Sequence, residues 1–192
     1  MDDVVGSFFA KRLFGLKPPR NACAWNVRLF CCLNVDVRMR ALYIEKDPAA
    51  FARLSSFLQR QSGSAVEHDC RRGDFVDLRD EIMKWCGRDA FVFFFVDPKG
   101  WKDIVIDTMR PLLARPRSEF LINFAYNFIN RTVAMKEWQA QMLQLLGRPV
   151  ELAGLAPAQR EEALVNAYRQ SLKECVPASG RGFRARTAYV SI

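Results

Sequence analysis

From residue 40 onward the chain alternates short unbroken apolar runs with stretches whose apolar positions recur every three or four residues. Runs of the first kind suit strands buried in a sheet, and stretches of the second kind suit amphipathic helices. The clearest run is Phe91–Val96, FVFFFV, with four aromatic and two β-branched residues. It is too short to span a membrane and fits a strand buried on both faces, as in a parallel sheet. It stops at Asp97, Pro98, Lys99 and Gly100. Proline cannot donate to a ladder and glycine tolerates unusual backbone angles, so a turn is expected with Asp97 at the strand's carboxyl end. In open α/β sheets that edge is where ligands bind, because the loops diverge there.

The other elements follow by the same reading. Residues 41–44 (ALYI) predict a strand that ends at Glu45. Residues 48–60 predict a helix with Phe51, Leu54, Phe57 and Leu58 on one face, Asp47 as N-cap and Pro48 at its first position. Gly63 closes that helix, residues 65–68 form a short strand, and Gly73, Asp74 and Phe75 make the next turn. A helix over 77–85 carries Leu78, Ile82 and Trp85, and after the central strand come a helix over 103–114 and a strand over 119–124. The remainder is more helical: one helix over 130–146, another over 157–175, and a final strand over 184–192. The expected fold class is α/β, a doubly wound, mostly parallel, Rossmann-like sheet with a helical C-terminal part.

The first forty residues keep no such order. Val4, Val5, Phe8, Phe9 and Leu13 have helical spacing, Pro18 and Pro19 stop it, and a short strand is assigned at 28–33. The expected organisation is an irregular segment over 1–39 and an α/β domain over 40–192. The irregularity of residues 18–40, together with a strand at the very end, favours a chain that is truncated or frame-shifted relative to a longer parent.

Composition narrows the classes. Among 192 residues half are apolar, enough for one substantial core, and the net charge of +8 favours a polyanionic partner such as nucleic acid. The basic residues are scattered in ones and twos, so a solvated basic surface is an equally good reading. Six cysteines without a CxxC pair argue against a zinc site or a disulfide framework and suit reduced thiols in a cytoplasm. No run approaches the length of a membrane-spanning helix, and Asp2 and Asp3 stand where a signal peptide carries positive charge.

The acid ending the strand in YIEKD (Glu45), the Gly73-Asp74-Phe75 turn and the Asp97-Pro98-x-Gly100 turn together resemble class I S-adenosylmethionine-dependent methyltransferases. More closely, FFFVDPKGW followed by FLINFAYNFINR resembles the three-Cys-motif partner family of bacterial and phage-associated proteins, itself methyltransferase-like. The resemblance covers about residues 40–131. It implies S-adenosylmethionine as cofactor, with Glu45 accepting from the ribose hydroxyls and Asp74, beside Phe75, accepting from the adenine amino group. Asp97, backed by Pro98, would orient an amino group for attack on the sulfonium methyl. Lys99 would meet a substrate phosphate, Trp101 would stack on a base, and Asn123, Asn127 and Arg131 would line the same crevice. Each has a plainer reading: exposed acids at turns, a solvated lysine, a core tryptophan, turn-capping asparagines.

The family places a glycine-rich turn after its first strand, and no glycine occurs here between Gly15 and Gly63. Loss of that backbone cradle would weaken cofactor binding or abolish it. The alternative to a methyltransferase is therefore a non-catalytic relative that binds nucleic acid or a partner protein, such as the three-Cys-motif protein itself. His68, Asp69 and Cys70 look like a metal or nucleophile trio, but neighbours on a strand point to opposite faces and do not converge.

Overall fold

The computed structural model describes residues 6–10, 39–61, 66–98 and 100–176. Its centre is a five-stranded, all-parallel sheet in the order β3-β2-β1-β4-β5, built from β1 (Gly6–Ala10), β2 (Met39–Glu45), β3 (Val66–Arg72), β4 (Phe91–Val96) and β5 (Ser118–Ile122). The expected strands at 41–44, 65–68, 91–96 and 119–124 are all present, β3 running four residues further than its apolar stretch suggested.

The middle strand overturns two expectations. Helical spacing from Val4 to Leu13 predicted a helix, yet Gly6–Ala10 pairs in parallel with both β2 and β4, Ala10 standing in register with Tyr43 on one side and Phe95 on the other. Residues 1–39 accordingly do not stand apart, because part of them is the strand between β2 and β4. A central parallel strand is fixed by backbone pairing along both edges, so its own apolar period need not reveal it. The strand assigned at 28–33 and the final strand at 184–192 lie outside the described residues.

Each face of the sheet packs helices. On one face α1 (Pro48–Gln59) sets Leu54 and Leu58 against Ala41, Tyr43 and Val66. Its start follows the sequence: Asp47 Oδ1 accepts from Ala50 N at 2.7 Å, and Pro48 occupies the first helical position, where its missing N–H costs nothing. On the opposite face the larger core joins Leu42, Ile44, Val92, Phe94, Val96, Phe120 and Ile122 to α2 (Arg79–Cys86), α3 (Ile106–Leu113), α5 (Gln139–Leu146) and α6 (Pro157–Glu174). Burial along β4 alternates: Val92, Phe94 and Val96 are sealed while Phe91, Phe93 and Phe95 are half-buried, so the run is less enclosed on its second face than expected.

Two helices are shorter than predicted. Residues 103–114 divide into a 3-10 turn at Lys102–Ile104 and α3, with Pro111 inside the helix where it removes a backbone donor. Residues 130–146 do not form one helix. They contain the end of α4 (Tyr126–Thr132), an extended residue at Met135, a 3-10 turn at Lys136–Trp138, and α5. No proline or glycine marks the break. Gln139 Nε2 takes up the freed Val133 carbonyl at 2.7 Å, and Trp138 turns inward to meet Trp101 edge to face at 5.9 Å between ring centroids. Tertiary packing has overridden helical spacing.

Candidate site at the carboxyl edge of the sheet

Because every strand runs in the same direction, the residues that follow β2, β3, β4 and β5 all emerge at one edge. Glu45 ends β2, Gly73 and Asp74 follow β3, Asp97 follows β4, and Asn123 follows β5. Strand spacing of about 4.8 Å puts Glu45 and Asp97, which flank β1 by one strand on each side, about 10 Å apart along the edge. A nucleoside spans a distance of that order.

The loops after β2 and β3 are tied together. Gly73 N donates to Glu45 O at 3.2 Å, and Lys46 Nζ bonds Asp74 Oδ2 at 3.0 Å. A Cβ on Gly73 would lie 2.8 Å from Leu78 Cδ1, so a larger residue in this turn would require the Leu78 side chain to shift. Asp74 Oδ1 also accepts from Val76 N at 3.0 Å, which makes Asp74 a turn cap as well as an ion-pair partner. The hydrogen bond and charge of Asp74 raise the Lys46 ammonium above its ordinary pKa, and Asp103 and Asp77 add to the effect. Asp103 lies beyond β4, so three loops meet electrostatically around Lys46. Sequence reading passed over Lys46, although a base between two acids at a strand tip was visible in YIEKD.

Glu45 folds back over its own loop. Its Oε1 accepts from Asp47 N at 2.9 Å, and its other oxygen has no partner among the described residues. Asp97 is held from the neighbouring strand: Asn123 Nδ2 donates to Asp97 Oδ1 at 2.8 Å. Asn123 N also donates to Val96 O at 2.9 Å, extending the β4–β5 ladder to the tip. The amide of Asn123 is fixed in turn by Ala125 N, which donates to Asn123 Oδ1 at 3.3 Å. Ala125 adopts a left-handed conformation (φ 48°, ψ 46°) that a residue with a Cβ rarely takes, and strain of this kind gathers at functional sites. No sequence signal pointed to Ala125.

The remaining expected site residues divide. Pro98 is buried behind Asp97, as a turn-backing residue should be, and Lys99 lies outside the described residues. Gly100 adopts no left-handed conformation and has open space where a Cβ would go, so the turn does not need the freedom expected of it. Trp101 is only 4% exposed and packed against Trp138, which leaves no face open for a base; the stacking role does not hold for this arrangement. Phe75, at 1% exposure, belongs to the core under the Gly73–Asp74 turn and supports it from below. Asn127 and Arg131 are exposed one turn apart on α4, where Arg131 Nε donates to Asn127 O at 3.1 Å.

Elsewhere, α3, α5 and α6 enclose a groove of about 250 Å³ lined by Asp107, Arg110, Leu143, Ser171 and Cys175 among others, sharing no residue with the strand tips. On β3, Asp69 is engaged by Arg71, which also binds Glu81 at 2.7 Å, so the His68-Asp69-Cys70 trio does not converge. Among the described residues no group of His, Cys, Asp and Glu is arranged to hold a metal, and no helix is long and apolar enough to cross a membrane.

Comparison of the chain with protein-family models, with curated proteins and with solved structures gives no match.

Proposed function

We propose that this is an S-adenosylmethionine-dependent methyltransferase-like protein of the three-Cys-motif partner family, acting on an amino group of nucleic acid. The observation that carries the reading is the common edge at which Glu45, Asp74 and Asp97 emerge from β2, β3 and β4. Strand order supports it further. The sequence 3-2-1-4-5 is that of a doubly wound, Rossmann-like sheet, whose crevice opens where the order reverses, here between β1 and β4.

The residues fit the cofactor in part. Glu45 has an oxygen to offer a ribose hydroxyl. Asp74 has both oxygens engaged, so reaching an adenine amino group requires Lys46, whose side chain is 65% exposed, to swing away. The chain also departs from the family by lacking the glycine-rich turn. When bound, S-adenosylmethionine supplies an electrophilic methyl on sulfur. The contribution of this chain is positional: Asp97 keeps one oxygen to accept an N–H of the incoming amino group and so aims its lone pair, while Asn123 holds the carboxylate in place.

A thermal-shift titration with S-adenosylmethionine tests the proposal. At a ligand concentration a hundred times Kd the folded state gains about 2.7 kcal/mol, which for a chain of this size is about 5–10 °C in Tm. Glu45→Gln removes the charged acceptor and should weaken binding about 10- to 100-fold. A Tm that does not move at millimolar ligand contradicts the cofactor reading. It would leave the second reading, a non-catalytic protein that binds nucleic acid, which the charge of +8 favours.

A further inference from the structure

The Asp97–Asn123 pair carries more than orientation. Asp97 spends Oδ1 on Asn123, and Asn123 spends its oxygen on Ala125 N and one N–H on Asp97. Among the described residues this leaves an acceptor, Asp97 Oδ2, next to a donor, the second Nδ2 hydrogen of Asn123. The bond from Ala125 opposes an amide flip, so the donor stays a donor. Both side chains are half-buried at the tips of adjacent strands, reachable from the edge yet partly shielded from water.

An acceptor beside a donor complements a group that presents an amino hydrogen next to an acceptor nitrogen. Adenine does so with N6–H and N1, and cytosine with N4–H and N3. Hypoxanthine and uracil reverse the order, setting a carbonyl oxygen beside an N–H, so at the same station each would face acceptor with acceptor and donor with donor. We propose that Asn123 is a specificity-determining residue of the site, reading the ring nitrogen beside the amino group that Asp97 receives, and that the substrate is therefore an unpaired adenine or cytosine. This rests on the amino-directed reading of Asp97 given above. Read at N1 of adenine or N3 of cytosine, the base must be unpaired, because that edge is the one consumed in Watson–Crick pairing. The net charge of +8, and the exposed Lys46, Arg72, Lys102 and Arg131 on segments leaving this edge, favour a nucleic-acid strand over a side-chain carboxamide of a protein, which presents the same two groups.

Fluorescence anisotropy with short single strands in matched pairs provides the test: cytosine against uracil, and one adenine against one hypoxanthine within an oligothymine strand, at one fixed salt concentration. The members of each pair have equal phosphate charge and nearly equal shape, so electrostatics cancel. The amino-bearing member should bind about 5- to 150-fold more tightly. Asn123→Asp replaces the donor with an acceptor, and the preference should vanish while residual, charge-driven binding remains. Asn123→Ala, which removes the donor without adding charge beside Asp97, should reduce the preference to the part that Asp97 alone supplies. Equal binding of the paired strands by the unaltered protein, or a preference as large after both substitutions as before them, overturns the proposal. A Tm that responds to S-adenosylmethionine while the strands go undistinguished sinks this inference alone, whereas discrimination without any cofactor response sinks the methyl-transfer reading alone.

Discussion

At the scale of single residues, Arg115 holds together the end of the sheet opposite the candidate site. Only 7% exposed, it directs Nη2 to the carbonyls of Gly87 and Ala90 at 2.8 and 2.7 Å, and Nη1 to that of Pro116 at 2.8 Å, joining the turns that lead into β4 and β5. Lysine lacks the planar fork for this task. Beside it the Cys86 thiol is pushed up to about 11 by burial, which outweighs the pull of the Arg115 and Arg40 guanidiniums. The sign of the consequence is fixed by linkage. Between pH 9 and about 11 the unfolded thiol ionises while the folded one stays protonated, so the unfolded state binds fewer protons and stability falls as pH rises. The loss is about 2–3 kcal/mol at 1.36 kcal/mol for each pH unit, and below pH 9 the contribution is full. Urea unfolding measured from pH 8 to 11 should therefore decline more steeply for the native chain than for Cys86→Ala. Parallel declines would show that the buried thiol ionises freely in the folded state.

At the scale of elements, α6 starts on half a capping box. Gln159 Oε1 accepts from Ala156 N at 3.0 Å, but alanine returns no acceptor to the exposed amides of the first turn. Ala156 is exposed and extended (φ −64°, ψ 157°), as an N-cap should be. Ala156→Ser should raise stability by about 0.5–2 kcal/mol in denaturant unfolding, and an unchanged or lowered midpoint would contradict this view of the helix start. The same element shows why some of the fold could be read in advance. Pro157 and the apolar set Leu164, Tyr168 and Leu172 are local signals, and the helix formed within one residue of its expected end. Where tertiary contacts decide, local signals failed: Trp138 leaves a helical path to reach Trp101, and nothing in residues 130–146 announces it. β1 failed for a related reason, since its place is set by the backbones of β2 and β4.

At the scale of the whole molecule, the order of strands converts scattered acids into one edge. Sequence alone gave Glu45, Asp74 and Asp97 as strand-end acids, because each closes an apolar run or a glycine turn. It could not give their side-by-side arrangement, which depends on β1 lying between β2 and β4 and on all five strands running in parallel. Nor could it separate Asn123, bonded to Asp97, from Asn127, which is exposed on the following helix; both are simply asparagines near a strand end. Trp101 was misjudged in the other direction, an aromatic beside the turn that the core claims for itself.

The central claim is that this edge holds a nucleoside-bearing cofactor. Amide chemical-shift mapping with S-adenosylmethionine tests it most directly, using the full chain. The account predicts perturbations concentrated at residues 45–47, 73–76 and 97–101, with the groove around Gly147 and Ser171 undisturbed. Shifts confined to that groove, or none at saturating ligand, would contradict it.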